Sequence, residues 1–266
     1  MKKNLEDLTF LMPIKVDSVI RIENLLAIVR YFQRHFQTRI TVLEVGAYNN
    51  GLLQKLLNKE VKYSFIEDKD PVYHRTKYRN LIANTVETPF LSLWDVDVLV
   101  DKSQIIDAIE KLRQGETDIA YPFDGRFYDT SEIIRSLFMK KQQMKILHQN
   151  RERMILFYSY NHKGGAFLVN TEKYRLSGME NENFYGWGSE DYERYVRWIS
   201  FGLHVYNAAG CMYHLSHPRD MNGNFISQRQ KELSISECVK TMESSYDELM
   251  RNVVNNYNNN IKNDCL

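Results

Sequence analysis

Apolar positions along this chain recur with two periods, and the two alternate. Residues 8–14, Leu-Thr-Phe-Leu-Met-Pro-Ile, form a nearly continuous apolar run that predicts a buried strand stopping at Pro13. Ile22, Leu25, Leu26, Val29 and Phe32 then recur at three- and four-residue spacing, which predicts an amphipathic helix over 18–36 with Ser18 as its N-cap. Further strands are predicted at 39–46, 61–67 and 90–94, separated by a short helix through 52–57 and a longer one over 73–84. Strands alternating with helices predict an α/β fold, a mostly parallel sheet with helices on both faces. Ligands of such sheets bind beyond the carboxyl ends of the strands. Pro13, Glu44, Glu67 and Asp95 stand at such ends.

The second half is patterned differently. Helices are predicted over 103–113, 131–148 and 192–200, and strands over 164–170 and 203–213. An aromatic, acidic and glycine-containing loop occupies 183–191. From 226 onward Leu233, Ile235, Val239, Met242, Leu249 and Val253 predict one or two further helices, before an asparagine-rich stretch at 255–260 that is expected to fray. The division is therefore a main domain at 1–225 and a C-terminal helical extension at 226–266. Basic residues of the extension (Lys231, Lys240, Arg251, Lys262) are matched by Glu232, Glu237, Glu243, Asp247 and Glu248, so packing on the core is expected over strong membrane attraction. A homodimer through these helices is a second arrangement the pattern allows.

Composition narrows the function classes. With 35 Lys and Arg against 34 Asp and Glu, the chain has no global pull on nucleic acid. Its three cysteines, Cys211, Cys238 and Cys265, are odd in number and widely spaced, which argues against a disulfide framework and fits a reducing compartment. The charged opening Met-Lys-Lys-Asn-Leu-Glu-Asp lacks the apolar core of a signal peptide. No apolar run approaches the roughly 18 residues a membrane span needs. The expectation is a cytoplasmic protein without a transmembrane segment, with a peripheral position at the inner membrane face also compatible.

Four segments carry candidate chemistry. Asp95-Val96-Asp97 follows an apolar strand, where alternate residues share a face and two carboxylates can hold Mg²⁺ or Mn²⁺. Fifteen aspartates in 266 residues yield roughly one Asp-x-Asp by chance, so a solvated turn is the plainer account of this motif alone. His214-Leu215-Ser216-His217 puts two imidazoles within reach of one metal, or is a pair of unrelated surface histidines. In Gly186-Trp187-Gly188-Ser189-Glu190-Asp191 the glycines let an indole stand out as a platform for a sugar ring. The two acids can then bind hydroxyls, one of them as general base, or simply favour a helix N-terminus. Finally, Val42-Leu43-Glu44-Val45-Gly46-Ala47-Tyr48-Asn49-Asn50-Gly51 has some likeness to the first motif of S-adenosylmethionine-dependent methyltransferases, but Tyr48 and Asn50 replace two of its small residues.

Taken in order, these pieces resemble metal-dependent glycosyltransferases of the GT-A fold, and most closely the β-1,4-galactosyltransferase family with its bacterial relatives. Tyr73-His74-Arg75-Thr76-Lys77-Tyr78-Arg79-Asn80 is similar to the family's Phe-Asn-Arg-Ala-Lys-Leu-Leu-Asn, and Gly164-Gly165-Ala166-Phe167-Leu168 to its Gly-Gly-Val-Ser-Ala-Leu. Gly186–Asp191 is similar to Gly-Trp-Gly-Gly-Glu-Asp, and His214–Asp220 to Met-x-x-His-Ser-Arg-Asp. The resemblance implies a GT-A domain transferring a hexose or N-acetylhexosamine from a UDP-sugar to a glycan or lipid-linked saccharide. It implies Mn²⁺, or Mg²⁺, on Asp97, His214 and His217, with Asp95 at the ribose and Arg75 at the diphosphate or uridine side. Pro13 and Glu44 would frame the uracil, Trp187 and Glu190 would hold the acceptor, and Asp191 would be the base of an inverting displacement. Tyr192 interrupts the family's acid run, and His162 and Lys163 stand where animal members carry aromatics that help choose the donor sugar. The competing expectations are a methyltransferase binding its cofactor at Gly46, and an inactive sugar-nucleotide- or glycan-binding protein.

Overall fold

The structure, a computed structural model, describes residues 1–218 and 221–253. The first half runs β1 (Lys3–Lys15), α1 (Val19–His35), β2 (Phe36–Gly46), α2 (Leu52–Leu56), β3 (Val61–Glu67), α3 (Arg75–Asn84), β4 (Phe90–Trp94), β5 (Val98–Leu99) and α4 (Lys102–Arg113). It continues with β6 (Ile119–Tyr121), β7 (Phe127–Asp129), α5 (Glu132–Lys141), α6 (Met144–Gln149) and β8 (Ile155–Tyr158). The remainder is β9 (Ala166–Asn170), α7 (Thr171–Leu176), α8 (Glu190–Ser200), β10 (Val205–Asn207), β11 (Met212–His214) and α9 (Gln228–Glu243).

Seven strands form one sheet in the order β10-β6-β9-β4-β1-β2-β3, and four form a second in the order β5-β11-β7-β8. In the large sheet β1 pairs in parallel with β2 and β4, β2 with β3, and β10 with β6; only β9 runs against its neighbours. Phe10 and Leu11 are adjacent in β1, so they point to opposite faces, and both are fully buried. The sheet is therefore covered on both sides, which is why β1 reads as an unbroken apolar run. Ser18 caps α1 by accepting from the Arg21 N–H. The helix lays Phe32 against Phe10, ring centroids 4.1 Å apart, and edge-on to Trp94 at 5.0 Å. Burying each such ring contributes roughly 2–3 kcal/mol.

Several predicted boundaries shift. The first strand begins at Lys3 and continues past Pro13 to Lys15. The last β1–β4 pair is Leu11 with Leu93, so beyond it the β4 side has no ladder to miss the N–H that Pro13 lacks. The helix expected over 131–148 is two helices, ended by Gln142 in a left-handed conformation with φ 49°. The strand expected over 203–213 is β10 and β11, which belong to different sheets. The strands β5, β6, β7 and β8 have two to four residues each, too few to display a period.

The extension folds as α9, which packs against α8, and as helical residues 246–253 with Leu249 buried. Cys211 and Cys238 are buried free thiols. The fraying expected over 255–260, the third cysteine Cys265, and Arg219 and Asp220 of the histidine motif lie outside the described residues. Among the described residues, no helix is long and apolar enough to cross a membrane.

Candidate active site

The small sheet assembles the first half of the site. After Trp94 the chain leaves β4 in a turn over Asp95–Asp97 and re-enters a strand at Val98. The turn is pinned from both sides: Asp95 N–H donates to Gly165 O at 2.7 Å, and Leu215 N–H donates to Asp97 O at 2.7 Å. Antiparallel pairing of His214 with Val98 sets the histidine motif beside this turn. The two carboxylates therefore diverge, where a continued strand would have kept them on one face. Asp97 turns to the histidines, with Oδ2 at 3.0 Å from His217 Nε2 and 3.8 Å from His214 Nε2. Asp95 turns to Arg79, whose Nη2 donates to its Oδ1 at 3.0 Å.

Both imidazoles are held by their other nitrogen. His214 Nδ1 is 2.6 Å from Asp129 Oδ1, a contact set by the parallel register of β11 and β7. His217 Nδ1 is 2.8 Å from Pro218 O. With Nδ1 so engaged, each ring turns its Nε2 toward Asp97. Burial would raise the Asp97 carboxyl, but His214, His217 and Arg21 outweigh it and hold it well below the usual carboxylate range. His217 is raised against its own burial by the Asp97 carboxylate.

These residues fit a divalent cation. One carboxylate oxygen and two imidazole nitrogens lie within 4.8 Å of one another, as donors about 2.0–2.2 Å from a common centre must. The set of nitrogen and oxygen donors suits first-row divalent metals, and the Asp129–His214 contact is the orientation such ligands ordinarily carry.

The second half comes from the start of α8. Gly164 approaches it closely: a Cβ there would lie 2.7 Å from Asp191 Oδ2, so a larger residue would force the carboxylate to shift. Asp191 Oδ1 accepts from Arg79 Nη1 at 3.0 Å and from Arg194 Nη2 at 2.9 Å. Both arginines also meet the buried Glu180, Arg194 at 2.7 Å and Arg79 at 3.5 Å. Burial alone would raise Asp191, but Arg79, Arg194 and Arg75 hold it well below the ordinary range. Glu190 behaves oppositely: burial and the neighbouring Asp191 charge push it up to about 7, although Arg75 Nη1 stands 3.5 Å away.

One cavity of about 600 Å³ joins these halves, with Pro13, Arg75, Asp95, Asp97, Trp187, Glu190, Asp191, His214 and His217 in its wall. Glu44 and Gly46 are not in that wall. Glu44 is buried between strands and accepts from the Tyr63 hydroxyl at 2.7 Å. Trp187 is half-buried and meets the edge of Phe225 at 4.9 Å. The Trp187 loop is fastened by the extension: Gln230 Nε2 donates to Tyr185 O and Trp187 O, and Ser189 N–H donates to Ser234 Oγ. Lys231 and Ile235 of α9 complete that side of the cavity.

Some residues in and around the cavity make contacts that the sequence reading did not anticipate. Arg21 of α1 faces Asp17 at 3.4 Å and Asp97 at 4.0 Å, and its buried Nε has no hydrogen-bond partner among the described residues. His162 stacks on Tyr158 at 4.2 Å, and the buried Lys163 ammonium lies over the rings of Tyr195 and Tyr121, while burial lowers its pKa. Asp129, Glu180 and Arg194 carry no local motif; only a basic residue three positions after Asp191 hinted at one of these contacts.

Residues 146–218 match the family described as the N-terminal domain of galactosyltransferase. The matched segment contains the Gly164-Gly165 turn, the Trp187 loop, Asp191 and both histidines. No curated protein sequence matches the chain. Among solved structures, the catalytic domain of Drosophila β1,4-galactosyltransferase 7, crystallised in complex with xylobiose, superposes with a TM-score of 0.54 at 14% identity, covering 88% of this chain and 79% of that one. That likeness establishes the fold. With the family match over the site-bearing segment, it indicates a glycosyltransferase, and the chain is a galactosyltransferase-like protein of the GT-A fold.

Proposed function

We propose that the protein is a metal-dependent, inverting glycosyltransferase that moves a hexose or N-acetylhexosamine from a UDP-sugar to a sugar hydroxyl of a glycan or glycolipid. The observation that carries this is one cavity holding both a three-donor metal cluster and, apart from it, an ionised carboxylate. Asp97, His214 and His217 would hold Mn²⁺, with Mg²⁺ as the other hard-to-borderline choice. When bound, such a cation neutralises charge on a diphosphate leaving group. Arg21, with an unsatisfied N–H, and Arg75 supply further positive charge for that diphosphate. Asp95, steadied by Arg79, is assigned to the ribose, and Pro13 to the uracil side. Glu44 lies outside the cavity wall, so its assignment to the uracil has the least support.

Trp187 and Glu190 are assigned to the acceptor sugar. Both guanidinium bonds to Asp191 go to Oδ1, which leaves Oδ2 to receive a proton. The acceptor hydroxyl gives its proton to Oδ2 as its oxygen bonds to the anomeric carbon. The bond from that carbon to the diphosphate oxygen breaks with its electron pair leaving on the UDP, and the configuration inverts. An oxocarbenium-like transition state is expected at this carbon. The main domain at 1–225 carries these groups, and the extension from 226 walls the acceptor side. The free thiols of Cys211 and Cys238 support a reducing, cytoplasmic setting.

Calorimetric titration of UDP with and without Mn²⁺ tests the donor half. Tight binding that needs the metal is expected, and absence of UDP binding in both conditions would sink the proposal. Asp191→Asn tests the base: UDP-sugar binding should survive while turnover falls by at least about a hundredfold.

A further inference from the structure

We propose that the edge strand β8 and the basic segment leading into it form a docking surface for an anionic lipid bilayer. Strand β8 is the last strand of the small sheet, paired only with β7. Its four residues are Ile, Leu, Phe and Tyr, and all four are exposed: Ile155 62%, Leu156 44%, Phe157 39% and Tyr158 44%. Successive strand residues point to opposite faces, so both faces of this strand keep exposed side chains, even though Phe157 stacks on Phe127 and Tyr158 on His162. Tyr160, two residues on, is 78% exposed. Natural edge strands are ordinarily blunted by charge, proline or a covering element. Residues 154–161 contain no charge and no proline.

The charge lies immediately before the strand. Residues 140–153 carry Lys140, Lys141, Lys145, Arg151 and Arg153, all exposed, against Glu152 alone. The whole chain has a net charge of only +1, so this is a strong local concentration. It shares an edge with the apolar strand: Arg151 lies over the Tyr128 ring, and Tyr128 is paired with Leu156. Protruding apolar and aromatic side chains beside a cluster of lysine and arginine are what an interface of acyl chains and anionic headgroups binds. A second copy of the chain fits less well. Antiparallel pairing of two β8 edges would bring two basic clusters together, and like charges facing across strands are destabilising. Tyr158 and Tyr160 also line the cavity, so docking at β8 would hold the cavity mouth at the bilayer surface. The docking itself does not depend on the proposed reaction.

The test is flotation of the full chain with phosphatidylcholine vesicles, with and without about one third phosphatidylglycerol, at low and high salt. Binding is expected only to the anionic vesicles and should weaken as salt screens it. Arg151→Gln with Arg153→Gln should weaken it about 25-fold, roughly fivefold for each charge. Ile155→Ser with Phe157→Ser should weaken it while leaving its salt dependence in place. UDP affinity, unchanged in both variants, reports that the fold and the cavity are intact. Absence of binding to anionic vesicles would overturn the proposal, as would binding that both double variants leave undiminished. A dimer in light scattering that Ile155→Ser with Phe157→Ser splits would instead assign the edge to a second copy.

Discussion

Asp129 and His214 are separated by 85 positions and meet at 2.6 Å. No local pattern announces Asp129, whereas Asp97 and His217 stand in motifs readable without a structure. The difference is physical. A metal ligand is constrained by its neighbours in the chain, because a turn or a short spacing must present it. A residue that only orients a ligand can come from any element that packs there. Asp129→Asn keeps the size but alters the hydrogen bond that fixes the His214 ring. Its expected effect is a tenfold to hundredfold loss of divalent-metal affinity, roughly the cost of removing such supports elsewhere. Unchanged Mn²⁺ affinity in a direct titration would show that Asp129 does not orient a ligand. Arg79 is the comparable case on the other side of the cavity. It lies within a readable segment, yet its tie between Asp95 and Asp191 depends on how α3 packs beside α8.

At the scale of elements, the long ones were legible and the short ones were not. The periodic run from Ile22 to Phe32 marks α1, and the unbroken apolar run of β1 marks a strand buried on both faces. Strands of two to four residues owe their existence to partners already in place, and they are the ones that build the small sheet. Helix α9 was expected to pack on the core, but its part in the cavity was not visible, because the polar Gln230 and Lys231 follow no apolar period. Gln230→Ala would leave the Tyr185 and Trp187 carbonyls without their donor, at a cost of about 1 kcal/mol to stability. The acceptor KM should rise as the Trp187 platform loosens, with UDP affinity unchanged. Kinetics with donor and acceptor varied separately distinguish this from a general loss of structure.

At the scale of the whole molecule, the site is a source of pH-dependent stability. The Glu190 carboxyl is pushed up from its ordinary 4.5 to about 7 by burial and by the Asp191 charge. Between those values the folded state binds more protons than the unfolded state, so this contribution is complete below the unfolded value and is lost as pH rises through 7. At ~1.4 kcal/mol for each unit, the loss amounts to about 3 kcal/mol at alkaline pH. Glu190→Gln removes the titration, so the variant should gain stability relative to the original chain as pH is raised from 5 to 8. Denaturant midpoints at the two pH values measure this, and a parallel shift of both proteins would refute it. Asp191, held below its ordinary range, acts in the opposite sense and only in acid.

The sequence by itself determined the alternation of strands and helices, the order of the motifs, and the residue types that can bind metal and accept a proton. These follow from periodicity and from short spacings, which are properties of neighbouring residues. Only the tertiary structure decided that Asp95 and Asp97 part company, that Glu44 is sealed beneath Tyr63, and that Asp191 is gripped by two arginines. It also decided that the extension walls the cavity and that β8 is an exposed sheet edge. Each of these depends on which distant segments share a sheet edge or a helix face. Such contacts are chosen by the burial energy of the whole chain, and no local pattern records them.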